Sequence, residues 1–208
     1  MSMRAEDIEA LFTRADGSYL FARWVRPIVP VVFGVEDTTL SVIKGAVEAI
    51  VMLAGHKMAE TDFEQGANLM IFFCRDWAEL VAVPDLDRLV EGLGPLVAQL
   101  QAQGANQYRH FRFEADGAIR ACFAFVRLDD ALAKAPAADL ALSLAAQVIL
   151  LWSECAFRQR SPLVGTESGT VLRPEIAAVI RAAYDPVLPA AADDSAHALR
   201  LLARIAPT

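Results

Sequence analysis

The sequence predicts an α/β fold of mixed α+β type, in which several helices pack a central twisted mixed sheet with an antiparallel hairpin. Residues 68–74 form a compact apolar run that is too short for a helix and suits a strand buried on both faces. Residues 107–114 and 119–128 flank a turn at Asp116-Gly117. This arrangement predicts two antiparallel strands, because glycine readily adopts the positive φ that a tight turn requires.

Helices and irregular segments complete the prediction. Apolar side chains recur every three or four positions over residues 86–100, which predicts a helix that ends at Gly104. Pro27 and Pro30 make the first strand, residues 19–33, irregular or an edge strand. The other predicted elements are an amphipathic opening at 5–12, helices at 37–59 and 140–157, a loop at 158–170, and helices at 174–184 and 195–205.

The composition predicts one folded domain over residues 1–208. Hydrophobic residues make up 55% of the chain and charged residues 22%, which is far too apolar for a disordered protein. The formal net charge of −7 disfavours nucleic acid as a partner, since phosphate binding needs clustered lysine and arginine. The same apolar excess favours an exposed apolar patch, and we therefore expect a homodimer.

Export and membrane insertion are not predicted. Residues 1–9 contain acidic side chains and no apolar segment of signal-peptide type. The longest apolar stretch, residues 140–152, is shorter than the roughly 20 residues of a membrane span. Cys74, Cys122 and Cys155 are widely spaced, which favours reduced thiols over disulfides. We expect a cytoplasmic protein without a membrane partner.

The histidine pattern predicts no metal, and no cofactor is expected. A helical zinc site needs two histidines one turn apart, so that both imidazoles reach the same ion. His56, His110 and His197 are far apart in sequence. A long-range site built from all three is the remaining alternative.

Two residues are candidates for catalysis. Cys74 ends a predicted central strand, where α/β folds often place functional groups, and its alternative role is that of a small buried apolar residue. Glu154 is predicted late on the apolar helix 140–157, where burial without a partner would raise the pKa of its carboxyl group. Its alternative role is a solvated position or an ion pair with Arg158 one turn later.

Arginines on the hairpin are candidates for ligand binding. Arg109, Arg112 and Arg120 belong to the predicted strands, and guanidinium groups bind carboxylate or phosphate through paired hydrogen bonds. Strand alternation divides these side chains between the two faces of the sheet. A solvated outer face that pairs with acidic residues is therefore the alternative to an anion site.

Two stretches together resemble a known family. They are Arg23-Trp24-Val25-Arg26-Pro27-Ile28-Val29-Pro30-Val31 near the start, and Leu172-Arg173-Pro174-Glu175 through Arg181-Ala182-Ala183-Tyr184-Asp185-Pro186 near the end. Both are similar to stretches of an uncharacterised proteobacterial family of unknown function, described as metzincin-like. The resemblance implies a twisted mixed sheet followed by a helix of active-site type. Residues 140–157 would be the counterpart of the helix that carries zinc ligands in true metzincins, but here they include no histidine.

These observations favour a non-catalytic domain that binds a protein partner or a small ligand through an apolar surface. The chain has many apolar residues and no recognisable catalytic set. The alternative is a hydrolase-like enzyme in which Glu154 or Cys74 acts in a shared cleft.

Overall fold

A computed structural model describes residues 3–64, 66–167 and 169–205 and has the α/β architecture that the sequence predicts. The helices are α1 (Ala5–Phe12), α2 (Asp37–Leu53), α3 (Ala78–Val81), α4 (Leu86–Leu89), α5 (Leu93–Ala102), α6 (Ala137–Val148), α7 (Pro174–Ala183) and α8 (Ala196–Ile205). The strands are β1 (Phe21–Ala22), β2 (Pro30–Phe33), β3 (Leu69–Cys74), β4 (Gln107–Phe113), β5 (Ile119–Arg127), β6 (Leu163–Thr166), β7 (Gly169–Leu172) and β8 (Ala191–Ala192). Within these ranges, no helix has both the length and the apolar character that a membrane crossing requires.

The main sheet has four strands in the order β2-β3-β5-β4. Strands β2, β3 and β5 are parallel, whereas β4 pairs antiparallel with β5. Helix α2 makes the crossover from β2 to β3, as a parallel pair requires. The predicted central strand and the predicted hairpin are both confirmed, and β4 lies at one edge of the sheet.

Alternate side chains of the central strands enter two hydrophobic clusters. Leu69 and Ile71 of β3 face the cluster that includes α2 and α6, and Phe72 and Cys74 face the cluster formed with α3, α4 and α5. The sheet therefore lies between two helical layers. One face of the edge strand β4 is directed toward the α6 side.

The predicted helix at 86–100 is interrupted in the structure. Val90 has extended dihedrals, and Gly92 has a φ of +74° that favours glycine. Pro95 cannot donate a main-chain hydrogen bond, so a continuous helix would lose one bond at this position. The apolar spacing continues across the break, and for this reason periodicity does not reveal it. Helix α2 also ends earlier than predicted, at Leu53 rather than near residue 59.

The most consequential correction concerns the helix predicted at 140–157, which ends at Val148 as α6. Side chains from elsewhere donate to the carbonyl groups at this end. The Trp24 indole N–H donates to Val148 O at 2.8 Å, and the Trp152 indole N–H donates to Ala146 O at 2.8 Å. The Tyr184 hydroxyl donates to Ile149 O at 2.9 Å. We call these three side chains the aromatic cap of α6.

The segment predicted as a loop, residues 158–170, contains most of a hairpin formed by β6 and β7. Thr170 of this hairpin donates its hydroxyl to an Asp139 carboxylate oxygen of α6 at 2.8 Å. Residue 168 of the predicted loop lies outside the described residues. The hairpin forms a wall beside α6, which is relevant to the site described below.

The start of the first sheet element is irregular, as its prolines predict. Asn68 is fully buried and connects this segment to β3. Its side-chain oxygen accepts from the Val29 N–H at 2.8 Å, and its amide nitrogen donates to Pro27 O at 2.9 Å and to an Asp62 oxygen at 3.2 Å. One amide side chain thus satisfies the Val29 N–H and the Pro27 carbonyl in this irregular segment.

We expect Tyr184→Phe to lower the free energy of unfolding by about 1–3 kcal/mol, because it leaves the buried Ile149 carbonyl without its hydroxyl donor. Urea denaturation measures this loss. Tyr108→Phe is the matched control, since in the described residues the Tyr108 hydroxyl has no hydrogen-bond partner, and it should change stability by less than about 0.5 kcal/mol. Equal effects of both substitutions would contradict the capping role of Tyr184.

A second prediction concerns His197, which is 2% exposed and whose Nδ1 lies 3.1 Å from the Tyr19 hydroxyl. Burial lowers the pKa of His197 to about 4. The unfolded chain binds this proton below about pH 6.5, whereas the folded chain does so only near pH 4. The contribution of neutral His197 to the free energy of unfolding is therefore fully present above pH 6.5. It decreases by up to about 3 kcal/mol as the pH falls toward 4.

Urea denaturation at several pH values between 7 and 4.5 tests this prediction with His197→Gln. The wild type should lose more stability across the window than the variant. His56 and His110 also have pKa values lowered by burial and remain in both proteins, so the difference isolates His197. Parallel stability curves for the two proteins would disprove the assignment.

Candidate functional site

A cavity of about 370 Å³ lies between the edge strand β4, the second half of α6 and the segment that follows the aromatic cap. We call it the Arg109 cavity, after the charged residue of β4 that faces it. Its lining residues are Asn106, Gln107, Arg109, Ser143, Gln147, Ser153, Glu154, Phe157, Arg158, Gln159, Arg160, Ser161 and Pro162. Most of these side chains are polar, in contrast to the two hydrophobic clusters.

Regular secondary structure positions the two main walls. Strand alternation directs Gln107 and Arg109 toward α6, and it directs Tyr108 to the opposite face, against the α3–α5 cluster. Ser143 and Gln147 are one turn apart on α6 and therefore share a face. The Gln147 side-chain amide donates to Ser143 Oγ at 3.0 Å, and Gln147 is only 8% exposed.

Arg109 is the unusual group in this cavity. Within the described ranges, its guanidinium makes neither an ion pair nor a hydrogen bond. Burial lowers its pKa, which means that the surroundings disfavour the charged form. The neighbouring Cys122 thiol is also buried, and burial raises its pKa to about 12, so it supplies no negative charge near neutral pH. Arg109 is therefore a partly buried cation without a counter-ion.

The other charged lining residues have partners. Arg160 pairs with Glu175 at 2.8 Å, and Arg158 Nε donates to the main-chain oxygen of Glu154 at 3.1 Å. The Glu154 carboxylate accepts from the Ala15 N–H at 2.7 Å. Three arginines and one glutamate line the cavity, so its local charge is positive on a chain whose formal net charge is −7.

The structure corrects the expected environment of Glu154. Because α6 ends at Val148, Glu154 is not on a helix, and its side chain is exposed. The hydrogen bond from Ala15 lowers the pKa of the carboxyl group, whereas burial without a partner would have raised it. The exposed side chain agrees with the alternative of a solvated position. A carboxylate that stays ionised is poorly matched to general acid chemistry near neutral pH.

Cys74 lies at the end of β3, as predicted, but on the opposite side of the sheet from the Arg109 cavity. It belongs to the cluster that includes Trp77 and Leu80, and its sulfur lies 3.8 Å from Val126 O. Burial raises the pKa of its thiol to about 11, so the reactive thiolate is scarce at neutral pH. The structure does not bring Cys74 and Glu154 into a shared cleft.

The three candidate arginines do not form one anion site. Arg112 lies over the Phe123 ring at 5.5 Å and donates to Leu89 O on the α3–α5 side. Arg120 pairs with Glu64 at 2.9 Å. Only Arg109 among the three lines the cavity, in agreement with the division of the hairpin between two faces.

A second cavity of about 340 Å³ adjoins the first and shares Gln107, Ser143 and Ser161 with it. We call it the apolar lobe, because aliphatic side chains of the β6–β7 hairpin, of α6 and of residues 132–135 just before α6 line it. They include Leu132, Ala135, Leu140, Leu163 and Val164. Because the sequence predicts a loop at residues 158–170, it does not reveal this lobe. The apolar pairs 163–164 and 171–172 around Gly165 and Gly169 are a hairpin signal that could have identified it.

The three histidines occupy separate environments. His56 Nε2 lies 2.7 Å from Arg26 O, His110 lies beside Phe123, and His197 contacts Tyr19. In the part of the chain that the structure describes, no group of three histidine, cysteine, aspartate or glutamate residues could hold a metal ion.

Comparisons with protein-family models, with curated proteins and with solved structures found no match to this chain. The resemblance to a metzincin-like family therefore stays a prediction from the two sequence stretches.

Proposed function

We propose that this protein is a non-catalytic binding protein for a small anionic ligand, which it holds in the Arg109 cavity. The observation that carries the proposal is the unpaired guanidinium of Arg109 beside a polar cavity. A partly buried charge without a partner is unfavourable in the free protein. An anion that pairs with the Arg109 guanidinium would remove this unfavourable free energy. The affinity for the anion would be higher as a result.

The size and charge of the cavity support a small ligand. A volume of about 370 Å³ lies within the range of about 300–1,000 Å³ that is typical of small-molecule sites. The positive lining favours an anion, and the planar guanidinium presents two parallel N–H groups to a carboxylate or phosphate. The sequence-based hypothesis of a binding domain is retained, but we now propose a polar cavity in place of an apolar surface.

The hydroxyl groups of the cavity support binding rather than nucleophilic catalysis. Ser143 Oγ accepts from Gln147, and Ser153 Oγ accepts from the Cys155 N–H at 3.3 Å. Among the described lining residues there is no histidine that could remove a proton from either hydroxyl. A homodimer and a cytoplasmic location stay predictions from the composition.

We expect an anion panel to raise the melting temperature of the wild type and of Arg112→Gln, but not that of Arg109→Gln. The panel contains monocarboxylates, dicarboxylates, phosphate and sulfate at constant ionic strength, with sodium chloride as the reference salt. A ligand at 100 times its dissociation constant stabilises the folded state by about 2.7 kcal/mol. Arg112 is the matched control because it lies on the same strand and faces the opposite side.

Without ligand, Arg109→Gln should be as stable as the wild type or more stable, because the substitution removes a desolvated charge. Differential scanning fluorimetry measures both effects. If no anion stabilises the wild type, or if Arg109→Gln responds equally, the Arg109 cavity is not an anion-binding site.

A further inference from the structure

We propose that the ligand is an amphipathic monocarboxylate, whose carboxylate binds Arg109 and whose apolar body occupies the apolar lobe. This inference depends on the proposed function, because it requires that Arg109 binds the anionic group. It adds the chemical class of the ligand and the direction in which the ligand lies.

The two cavities adjoin each other and share three lining residues. Gln107 of β4, Ser143 of α6 and Ser161 line both of them, so a ligand anchored at Arg109 reaches the apolar lobe across these three side chains. The hydroxyl of Ser143 accepts from Gln147 and has no acceptor of its own in the described residues. It is therefore free to donate a hydrogen bond to a ligand at the junction.

The polarity changes sharply along this path. Beyond the junction, the walls are the aliphatic side chains of Leu132, Leu140, Leu163 and Val164. Asp139 is the one charged lining residue of the apolar lobe among the described residues, and one of its carboxylate oxygens accepts from the Thr170 hydroxyl. A second anionic group on the ligand would meet this negative charge, so the site disfavours dicarboxylates. An apolar body would instead gain the free energy of burial.

The cationic groups favour a carboxylate over a phosphate. Arg109 offers one unpaired guanidinium, whereas Arg158 and Arg160 already bond to other groups. Ser143 and Gln147 come from the second half of α6, so the helix presents no free N-terminal N–H groups beside Arg109. A phosphate dianion needs more donors than this arrangement supplies, while a planar carboxylate matches a single guanidinium.

Isothermal titration calorimetry with straight-chain monocarboxylates from propionate to octanoate tests the inference, with succinate, phosphate and octanol as comparison ligands. We expect the affinity to rise about fourfold for each added methylene until the apolar lobe is filled. Succinate and phosphate should bind more weakly than octanoate. Octanol, which lacks the carboxylate, should also bind more weakly, and Arg109→Gln should lose octanoate binding.

Two variants of the apolar lobe locate the apolar body. Val164→Thr and Leu140→Gln should weaken octanoate by up to about tenfold while leaving propionate unchanged, because each places a polar group against the alkyl chain. Val171→Thr is the matched control, since Val171 pairs with Val164 across the hairpin but does not line the lobe. It should bind octanoate with wild-type affinity.

The outcomes separate the two proposals. Binding that depends on Arg109 could be independent of chain length, or tighter for phosphate or succinate than for octanoate. Either result would overturn the monocarboxylate assignment and leave the proposal of anion binding intact. If affinity rises with chain length but Val164→Thr and Leu140→Gln do not reduce it, the apolar body lies outside the apolar lobe. This result would also overturn the monocarboxylate assignment. Failure of every anion to bind in an Arg109-dependent manner would overturn both proposals.

Discussion

The end of α6 is the point on which the rest of this structure depends. The aromatic cap brings together Trp24 from the first sheet segment, Trp152 from the segment after the helix and Tyr184 from the end of α7. Three buried carbonyl groups obtain their donors there, and leaving any one of them unsatisfied in a low-dielectric interior is costly. Because the chain leaves α6 at this point, the cap also determines the course of the segment that forms one wall of the Arg109 cavity.

Much of the fold could be predicted because its signals are local. The apolar run of β3, the turn between β4 and β5, and the proline at the start of α7 each specify an element from neighbouring residues alone. The end of α6 could not be predicted in this way. The segment after Val148 is still apolar, and two of the three groups that bind the carbonyls at this end, those of Trp24 and Tyr184, come from distant parts of the chain. The interruption near Gly92 was missed because the apolar periodicity continues through it.

The candidate site shows the same division between local and tertiary information. Strand alternation predicts that Arg109 and Arg112 face opposite sides of the hairpin, and the structure agrees. Which arginine lacks a partner is decided by acidic residues remote in sequence, such as Glu64 beside Arg120. Trp24 and Tyr184, which belong to the two stretches behind the family resemblance, meet at α6. Their contact gives a physical reason for the two stretches to occur together, although the family itself stays a prediction.

The sheet ends at two strands that have little tendency to recruit another chain. On one side, β2 begins at Pro30 and is followed by Gly34. The chain passes so close to β3 at Gly34 that an added Cβ would lie 2.1 Å from Phe73 O. On the other side, β4 has an irregular register near Arg112 and carries the inward-directed charge of Arg109. Prolines, bulges and inward charges on edge strands oppose edge-to-edge aggregation. The unpaired charge of Arg109 therefore has a consequence for solubility, since it discourages growth of the sheet into an intermolecular assembly.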